Sequence, residues 1–320
     1  MFIMAQPFQH VVIIGCGLLG ASLGLALRKK NLASVITGVG RHGSPSVSIA
    51  RQRAAIDRAI ADPAPAVRGD RFAGEDAAYP PADLVVLCAP VRQFPDMFRR
   101  LAPALAPRTI VTDVGSTKAQ ILRWAAELLP PHAPFIGSHP MAGSAKSGPQ
   151  AAREDLFLNA VCLVCPPPHI APGLPGVTPP PPTAPNPATA AFDRICTLWQ
   201  DLGMRVISCD PGQHDRWVAA ASHLPYSLAA TLVNTVARDP AALETAAGGF
   251  TDTTRIASGD IAMWTDILLT NRQAILDVLA DFQQELSTLQ SAIDRGDESA
   301  IRAFLTAAKT ARDAFIARRQ

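Results

Sequence analysis

Short runs that are apolar at every position alternate along this chain with longer segments whose apolar residues recur at helical spacing. The first run, Val11–Ile14 in "HVVIIGCGLLGASLGLALRKK", passes through glycines into a helical pattern and reads as a buried strand feeding a helix. Comparable runs follow at "SVITGVG" (34–40), "DLVVLCAP" (83–90), "RTIVTDVGS" (108–116), "NAVCLVCP" (159–166) and "MRVISCD" (204–210). Apolar residues at every position, not every second one, mark strands covered on both faces. Such strands with helical patterns between them predict an α/β domain with a Rossmann-like, doubly wound parallel sheet, which binds ligands at the carboxyl ends of its strands.

From Gln213 onward the strand signal vanishes. "HDRWVAAASHLPYSLAATLVNTVA", "ALETAAGGFTDTTRIASGD", "IAMWTDILLTNRQAILDVLADFQQELSTLQSAI" and "DESAIRAFLTAAKTARDAFIARR" all read as helices. The expectation is therefore a dinucleotide-binding domain over 1–211 and an all-helical substrate and dimerisation domain over 212–320. Residues 166–187 hold eleven of the chain's 29 prolines, which predicts an extended surface insertion. Helices this apolar need a covering face, so a homodimer built on them is expected.

Composition narrows the function classes. A chain of 320 residues exceeds one small core, and 48% hydrophobic with 18% charged residues describes a globular protein. With 29 basic and 27 acidic side chains, nothing in the charge balance points to nucleic acid or an anionic membrane. Residues 11–27 are uncharged, but the basic residues follow the run and glycines interrupt it, the wrong order for a signal peptide and the wrong composition for a spanning helix. A cytoplasmic protein is expected. Of the six cysteines, Cys162 and Cys165 form a C-x-x-C, but on a strand residues three apart face opposite sides. No second half of a zinc site exists, so reduced thiols and no metal are expected.

The glycines carry the first chemistry. Gly15, Gly17 and Gly20, with Leu18 and Leu19 between, form G-x-G-x-x-G at a strand-to-helix junction, the arrangement that brings backbone amides to a pyrophosphate. Ala89, Pro90, Val91, Asp113 and Gly115 fall at later strand ends and are expected to face the same cofactor. The second strand ends in Gly40, Arg41 and His42, with no acid to bind a ribose 2′-hydroxyl. Arg41 would pair with a 2′-phosphate or stack on adenine, so NAD(P)+ is expected, with NADP+ favoured.

Four polar clusters remain: "DVGSTK" (113–118), "GSHPMAGS" (137–144), "SHLPYSLA" (222–229) and "GGFTDTTRIASGD" (248–260). The second belongs to "GSHPMAGSAKSG", which reads as a bare loop around one imidazole. With the glycine fingerprint and "LCAPV", these clusters resemble the prephenate and arogenate (cyclohexadienyl) dehydrogenases of tyrosine biosynthesis, over most of the chain apart from the proline-rich insertion. The resemblance implies oxidative decarboxylation of a cyclohexadienol. His139 would be the base, Ser116 would bond the histidine and the substrate hydroxyl, and Arg255 would grip a carboxylate. Ser222 and His223 would contact substrate, as would Tyr226, which stands where several members carry a second histidine. Tyr226 cannot become cationic, which leaves prephenate and arogenate both open. Read without the family, Ser116 equally suits a helix N-cap, Arg255 an ion pair, and Lys118 either the turn or solvent. Another dehydrogenase with a helical C-terminal domain, or a catalytically silent dinucleotide-binding protein, are the more distant readings. Neither a preceding mutase segment nor an appended regulatory domain is expected, so any tyrosine inhibition is expected at the active site.

Overall fold

The computed structural model describes residues 7–71, 79–144, 146–167 and 187–318. The proline-rich insertion, save its ends, lies outside them. Among the described residues eight strands form one sheet: β1 (Phe8–Ile14), β2 (Ala33–Val39), β3 (Arg58–Ile60), β4 (Leu84–Leu87), β5 (Ile110–Asp113), β6 (Phe135–Pro140), β7 (Val161–Cys165) and β8 (Arg205–Ser208). Helices α1 (Leu18–Lys29), α2 (Pro45–Gln52), α3 (Pro63–Arg68), α4 (Phe94–Leu101), α5 (Ala119–Leu128) and α6 (Pro187–Asp201) connect or cover them. The strand order is β3-β2-β1-β4-β5-β6-β7-β8. Alternation along each strand sends side chains to two cores. Val11 and Ile13 join Leu23, Leu27, Ile195 and Trp199 on one face, while Val12 and Ile14 join Phe94, Phe98 and Ile121 on the other. Burying each of these large side chains contributes on the order of 1.5–3 kcal/mol, which explains the unbroken apolar runs.

Two features differ from the sequence reading. First, β7 runs antiparallel to β6, with His139 opposite Leu163, and β8 is parallel to β7. Only the six strands from β3 to β6 form the parallel array. Among the described residues between β6 and β7 there is one 3-10 turn, Pro149–Ala151, and no crossover helix to restore the direction. Second, Gly137–Pro140 is buried strand, not bare loop. Neighbours satisfy its polar groups: Ser138 Oγ lies 2.9 Å from Thr112 Oγ1, and its amide donates to Asp113 Oδ1 at 3.0 Å. Cys162 and Cys165 fall in opposite cores, as spacing on a strand requires.

Beyond β8 every element is helical: α7 (Pro211–Val218), α8 (Leu224–Val236), α9 (Pro240–Glu244), α10 (Gly248–Thr254), α11 (Ile261–Thr270), α12 (Arg272–Asp294) and α13 (Glu298–Ala317). A π turn, Ala219–His223, joins α7 to α8. A small core of Ala219, Ile267 and Ile275, with Trp264 beside it, fixes that turn against α11 and α12. Among the described residues, no helix is long and apolar enough to cross a membrane.

Candidate active site

The glycine motif has the shape a diphosphate needs. Gly15 adopts φ +98°, and a Cβ there would stand 2.5 Å from the Cys88 carbonyl oxygen. At Gly20 a Cβ would stand 2.0 Å from Gly15 O, so this glycine lets α1 press onto its own turn. Gly17 has nothing within 4 Å of such a Cβ; its backbone borders open space at the start of α1, where no side chain caps the helix. Leu18 and Leu19 follow half-buried in the first turn. Ala89 and Pro90 line the same end of the sheet beyond β4, and Val91 is buried at the start of a 3-10 turn. Arg41 and His42, after β2, are exposed. These features fit a nicotinamide dinucleotide. Burial pushes the Cys16 thiol up to about 12 and leaves it a protonated spacer within the motif.

After β5, "DVGSTK" folds around its own lysine. Lys118 is fully buried, and its ammonium donates to Asp113 Oδ2 at 2.5 Å, Gly115 O at 2.8 Å and Thr117 O at 2.9 Å. Asp113 also accepts from the Gly115 and Ser138 amides, so its carboxylate is spent inside the protein, tying the turn to β6. Burial pushes the Asp113 carboxyl up and the Lys118 charge opposes this. Lys118 therefore steadies the turn. Ser116 does not cap α5. Asp215 of α7 does, accepting from the Lys118 amide at 2.8 Å and the Ala119 amide at 3.0 Å. The Ser116 hydroxyl is half-buried and makes no hydrogen bond, to His139 or to any other described residue.

His139 is held by residues that the sequence reading passed over. Its Nδ1 lies 3.0 Å from His214 Nε2, and His214 Nδ1 lies 2.8 Å from Asp215 Oδ1. A carboxylate only accepts, so His214 Nδ1 donates to it. Neutral His214 then accepts at Nε2, His139 donates from Nδ1, and His139 Nε2 is left with its lone pair free. Burial, first, and the neighbouring His214, Lys118 and His223 lower the proton affinity of His139 well below an ordinary imidazole. Burial lowers His214 as well, against the pull of Asp215. At neutral pH the chain thus presents an unprotonated, fixed imidazole nitrogen. The sequence signal available was "HD" at the start of a helix whose continuation carries "SHLP".

The helical layer supplies the other wall. His223 is buried at the end of the π turn, with Ser222 half-buried before it. Tyr226 stacks on Trp264, with centroids 3.6 Å apart and planes 8° from parallel. Thr117 and Thr270 hydroxyls, 3.0 Å apart, and the Arg92 amide, 3.4 Å from Asp266, join this layer to the sheet. Arg255, in the 3-10 turn Arg255–Ser258, is exposed and has no ion-pair partner among the described residues. No hydrogen bond links it to His139, so of the predicted substrate-side residues His139, His223 and Tyr226 are buried, Ser116 and Ser222 half-buried, and Arg255 exposed.

A model of the prephenate dehydrogenase nucleotide-binding domain matches residues 23–171, and one of the prephenate dehydrogenase dimerization domain matches 210–307. The prephenate dehydrogenase of Bacillus subtilis (strain 168) is 31% identical over 315 residues, covering 97% of this chain and 77% of that protein. Prephenate dehydrogenase from A. aeolicus, solved with hydroxyphenyl propionate and NAD+, superposes with a TM-score of 0.80 at 28% identity, covering 96% of this chain and 98% of that one. Synechocystis arogenate dehydrogenase superposes with a TM-score of 0.74 at 29% identity, over 96% of this chain and 100% of that one. With both its sheet and its helices matched, and a buried pair of histidines set where they meet, the chain belongs to the prephenate dehydrogenase family of oxidoreductases.

Proposed function

We propose that this protein converts prephenate to 4-hydroxyphenylpyruvate by oxidative decarboxylation in tyrosine biosynthesis. The observation that carries the reading is the Asp215–His214–His139 chain, which leaves His139 Nε2 as a bare acceptor at the end of β6. The dinucleotide, when bound, supplies the acceptor for a hydride. His139 Nε2 takes the proton of the ring hydroxyl. The positive charge that develops is shared toward His214 and met by the Asp215 carboxylate, the logic of a catalytic triad extended by one imidazole. The hydride leaves the hydroxyl-bearing carbon, the ring carboxylate departs as carbon dioxide, and the ring becomes an aromatic phenolate, whose oxygen takes the proton back from His139. Ser116, with its hydroxyl uncommitted, bonds the substrate hydroxyl. Arg255 binds a carboxylate, for which a guanidinium fork is suited; Ser222, His223 and Tyr226 complete the substrate side.

Arogenate is the second reading, and Tyr226 favours it. A neutral phenol stacked on Trp264 offers no positive charge to a pyruvyl carboxylate. On the cofactor side, the exposed Arg41 and His42 and the missing acid after β2 support NADP+ over NAD+. The exposed apolar side chains Ile261, Leu269, Leu286, Ile293, Leu305 and Phe315 on α11, α12 and α13 support a homodimer, which sedimentation would test. Six free cysteines accord with a cytoplasmic setting.

The assay is direct. Purified protein is mixed with prephenate or arogenate and with NAD+ or NADP+, and the absorbance of the reduced nicotinamide is followed. Reduction with at least one substrate is expected, and none with either would overturn the reading. His139→Asn is expected to fold normally and to lose about 10²–10⁴-fold in kcat.

A further inference from the structure

One buried group of the helical layer has a proton with nowhere to go. His223 is 1% exposed, and its Nε2 has no hydrogen-bond partner among the described residues. Its Nδ1 lies 3.2 Å from Nδ2 of Asn271, the residue joining α11 to α12. The same amide nitrogen lies 2.8 Å from the backbone carbonyl oxygen of Asp215. A carbonyl oxygen can only accept, so the Asn271 atom facing it is the NH2 group, and the Asp215 contact fixes the amide's orientation independently of His223. Asn271 therefore donates to His223 Nδ1, which must hold a lone pair. Burial brings His223 down to about 4, so its ring is neutral at neutral pH. A neutral imidazole that accepts at Nδ1 carries its proton on Nε2.

The ring belongs to the catalytic cluster. His223 helps to lower the proton affinity of His139, and His214 acts likewise on His223. Facing His223 are Asp215, which favours its protonation, His214, which opposes it, and the Trp264 ring, at right angles with its centroid 6.1 Å away. The π turn Ala219–His223 that delivers the ring is a backbone irregularity of the kind frequent at functional sites. A buried donor without a partner is costly and calls for an explanation, and a bound ligand's acceptor supplies one.

We propose that Asn271 is a positioning residue that locks His223 as the Nε2–H tautomer, making His223 a neutral hydrogen-bond donor to a carboxylate or carbonyl oxygen of the substrate. The assignment rests on the reading of this cleft as the substrate site. Neutrality matters because His139 becomes cationic when it takes the hydroxyl proton. A second imidazolium in the cluster would oppose that step, whereas an amide partner, unlike a carboxylate, gives His223 no reason to charge.

The test uses the full-length protein labelled with 15N-histidine, with the His223 signals assigned through His223→Gln. In the wild type, Nε2 is expected to be protonated and Nδ1 unprotonated across neutral pH, and the Nε2–H signal is expected to shift when the dinucleotide and 4-hydroxyphenylpyruvate are added. A predominant Nδ1–H form, or an Nε2–H signal unmoved by the ligands, would overturn the proposal. Asn271→Asp replaces the donor with an acceptor. It is expected to put a proton on Nδ1, raise KM about ten-fold or more while changing kcat less, and add an inflection to the pH profile of kcat/KM. Unchanged KM and profile in a folded Asn271→Asp protein would overturn it. If this variant does not fold, the wild-type spectrum still decides. A wild type inactive on both prephenate and arogenate would overturn the functional reading instead, with the tautomer still read from the spectrum.

Discussion

At the scale of single residues, Asp215 does two separable things. Its two oxygens cap α5 through the Lys118 and Ala119 amides, and Oδ1 also accepts from His214 Nδ1. The first holds an element in place; the second sets which nitrogen of His139 is bare. Asp215→Asn weakens the first and reverses the second. With its carbonyl oxygen on the Ala119 amide, its NH2 group takes the place of Oδ1, against the Lys118 amide and His214 Nδ1, so one cap bond is lost and the relay turns round. His214 would then accept at Nδ1 and donate from Nε2, and His139 would be left with its proton on Nε2. The expected outcome is a loss of about 10²–10⁴-fold in kcat, as for other bases put in the wrong tautomer. Tm should fall by only a few degrees. Asp215→Ala should lose the same activity and about 1 kcal/mol of cap as well. Steady-state kinetics and thermal melts of the two variants check this; wild-type kcat in Asp215→Ala, which has no acceptor for His214 Nδ1, would show that the relay does not set the base.

At the scale of elements, the β1–α1 turn offers a comparison between packing and ligand approach. Gly20→Ala puts a methyl 2.0 Å from Gly15 O, so the helix must move off its strand; the expected loss is about 1–3 kcal/mol, with weaker dinucleotide binding as a consequence. Gly17→Ala puts its methyl into open space. Stability should change by about 1 kcal/mol or less, while the dinucleotide Kd rises, because the methyl occupies the path of the pyrophosphate. Urea melts and fluorescence titration with reduced dinucleotide would distinguish the two, and unchanged binding in Gly17→Ala would mean that the diphosphate lies elsewhere. This turn was legible in the sequence because the three glycines stand directly after a β-branched run and before a helical pattern. His139 was legible too, but its element was not. β6 carries Gly137, Ser138, His139 and Pro140, and nothing in that string shows that Thr112 and Asp113 on the neighbouring strand would satisfy its polar groups. The direction of β7 was hidden for another reason: the same apolar run suits a buried strand of either sense. His214, Asp215 and Asn271 were missed because each sits in an ordinary helical pattern. What gives them meaning is a contact with a residue 75, 96 or 48 positions away.

At the scale of the whole molecule, a cluster of neutral buried imidazoles ties folding to pH. Burial lowers His139, His214 and His223 below the ordinary 6.5, His223 to about 4. His10, between Pro80 O and Thr37 Oγ1 near the start of β1, is lowered by the same cause. In the unfolded chain these rings take up protons as the pH falls through about 6.5, while in the folded chain they do so only at lower pH. Between those values the unfolded state holds more protons, so stability falls as pH falls. Their contribution is complete above 6.5 and declines toward about 4, where His223 also charges in the folded protein. Asp113 has the opposite sign, since burial raises its proton affinity in the folded state, so it cannot cause the decline. The urea midpoint is therefore expected to drop steadily across this window at constant m-value, before the carboxylates of the unfolded chain titrate. His10→Gln removes one of the four imidazoles at a distance from the cleft, and should flatten the drop in proportion. A midpoint that holds level from neutrality down to about 4 would show that the rings are not kept neutral by burial, and would remove the basis for treating His139 Nε2 as a ready acceptor.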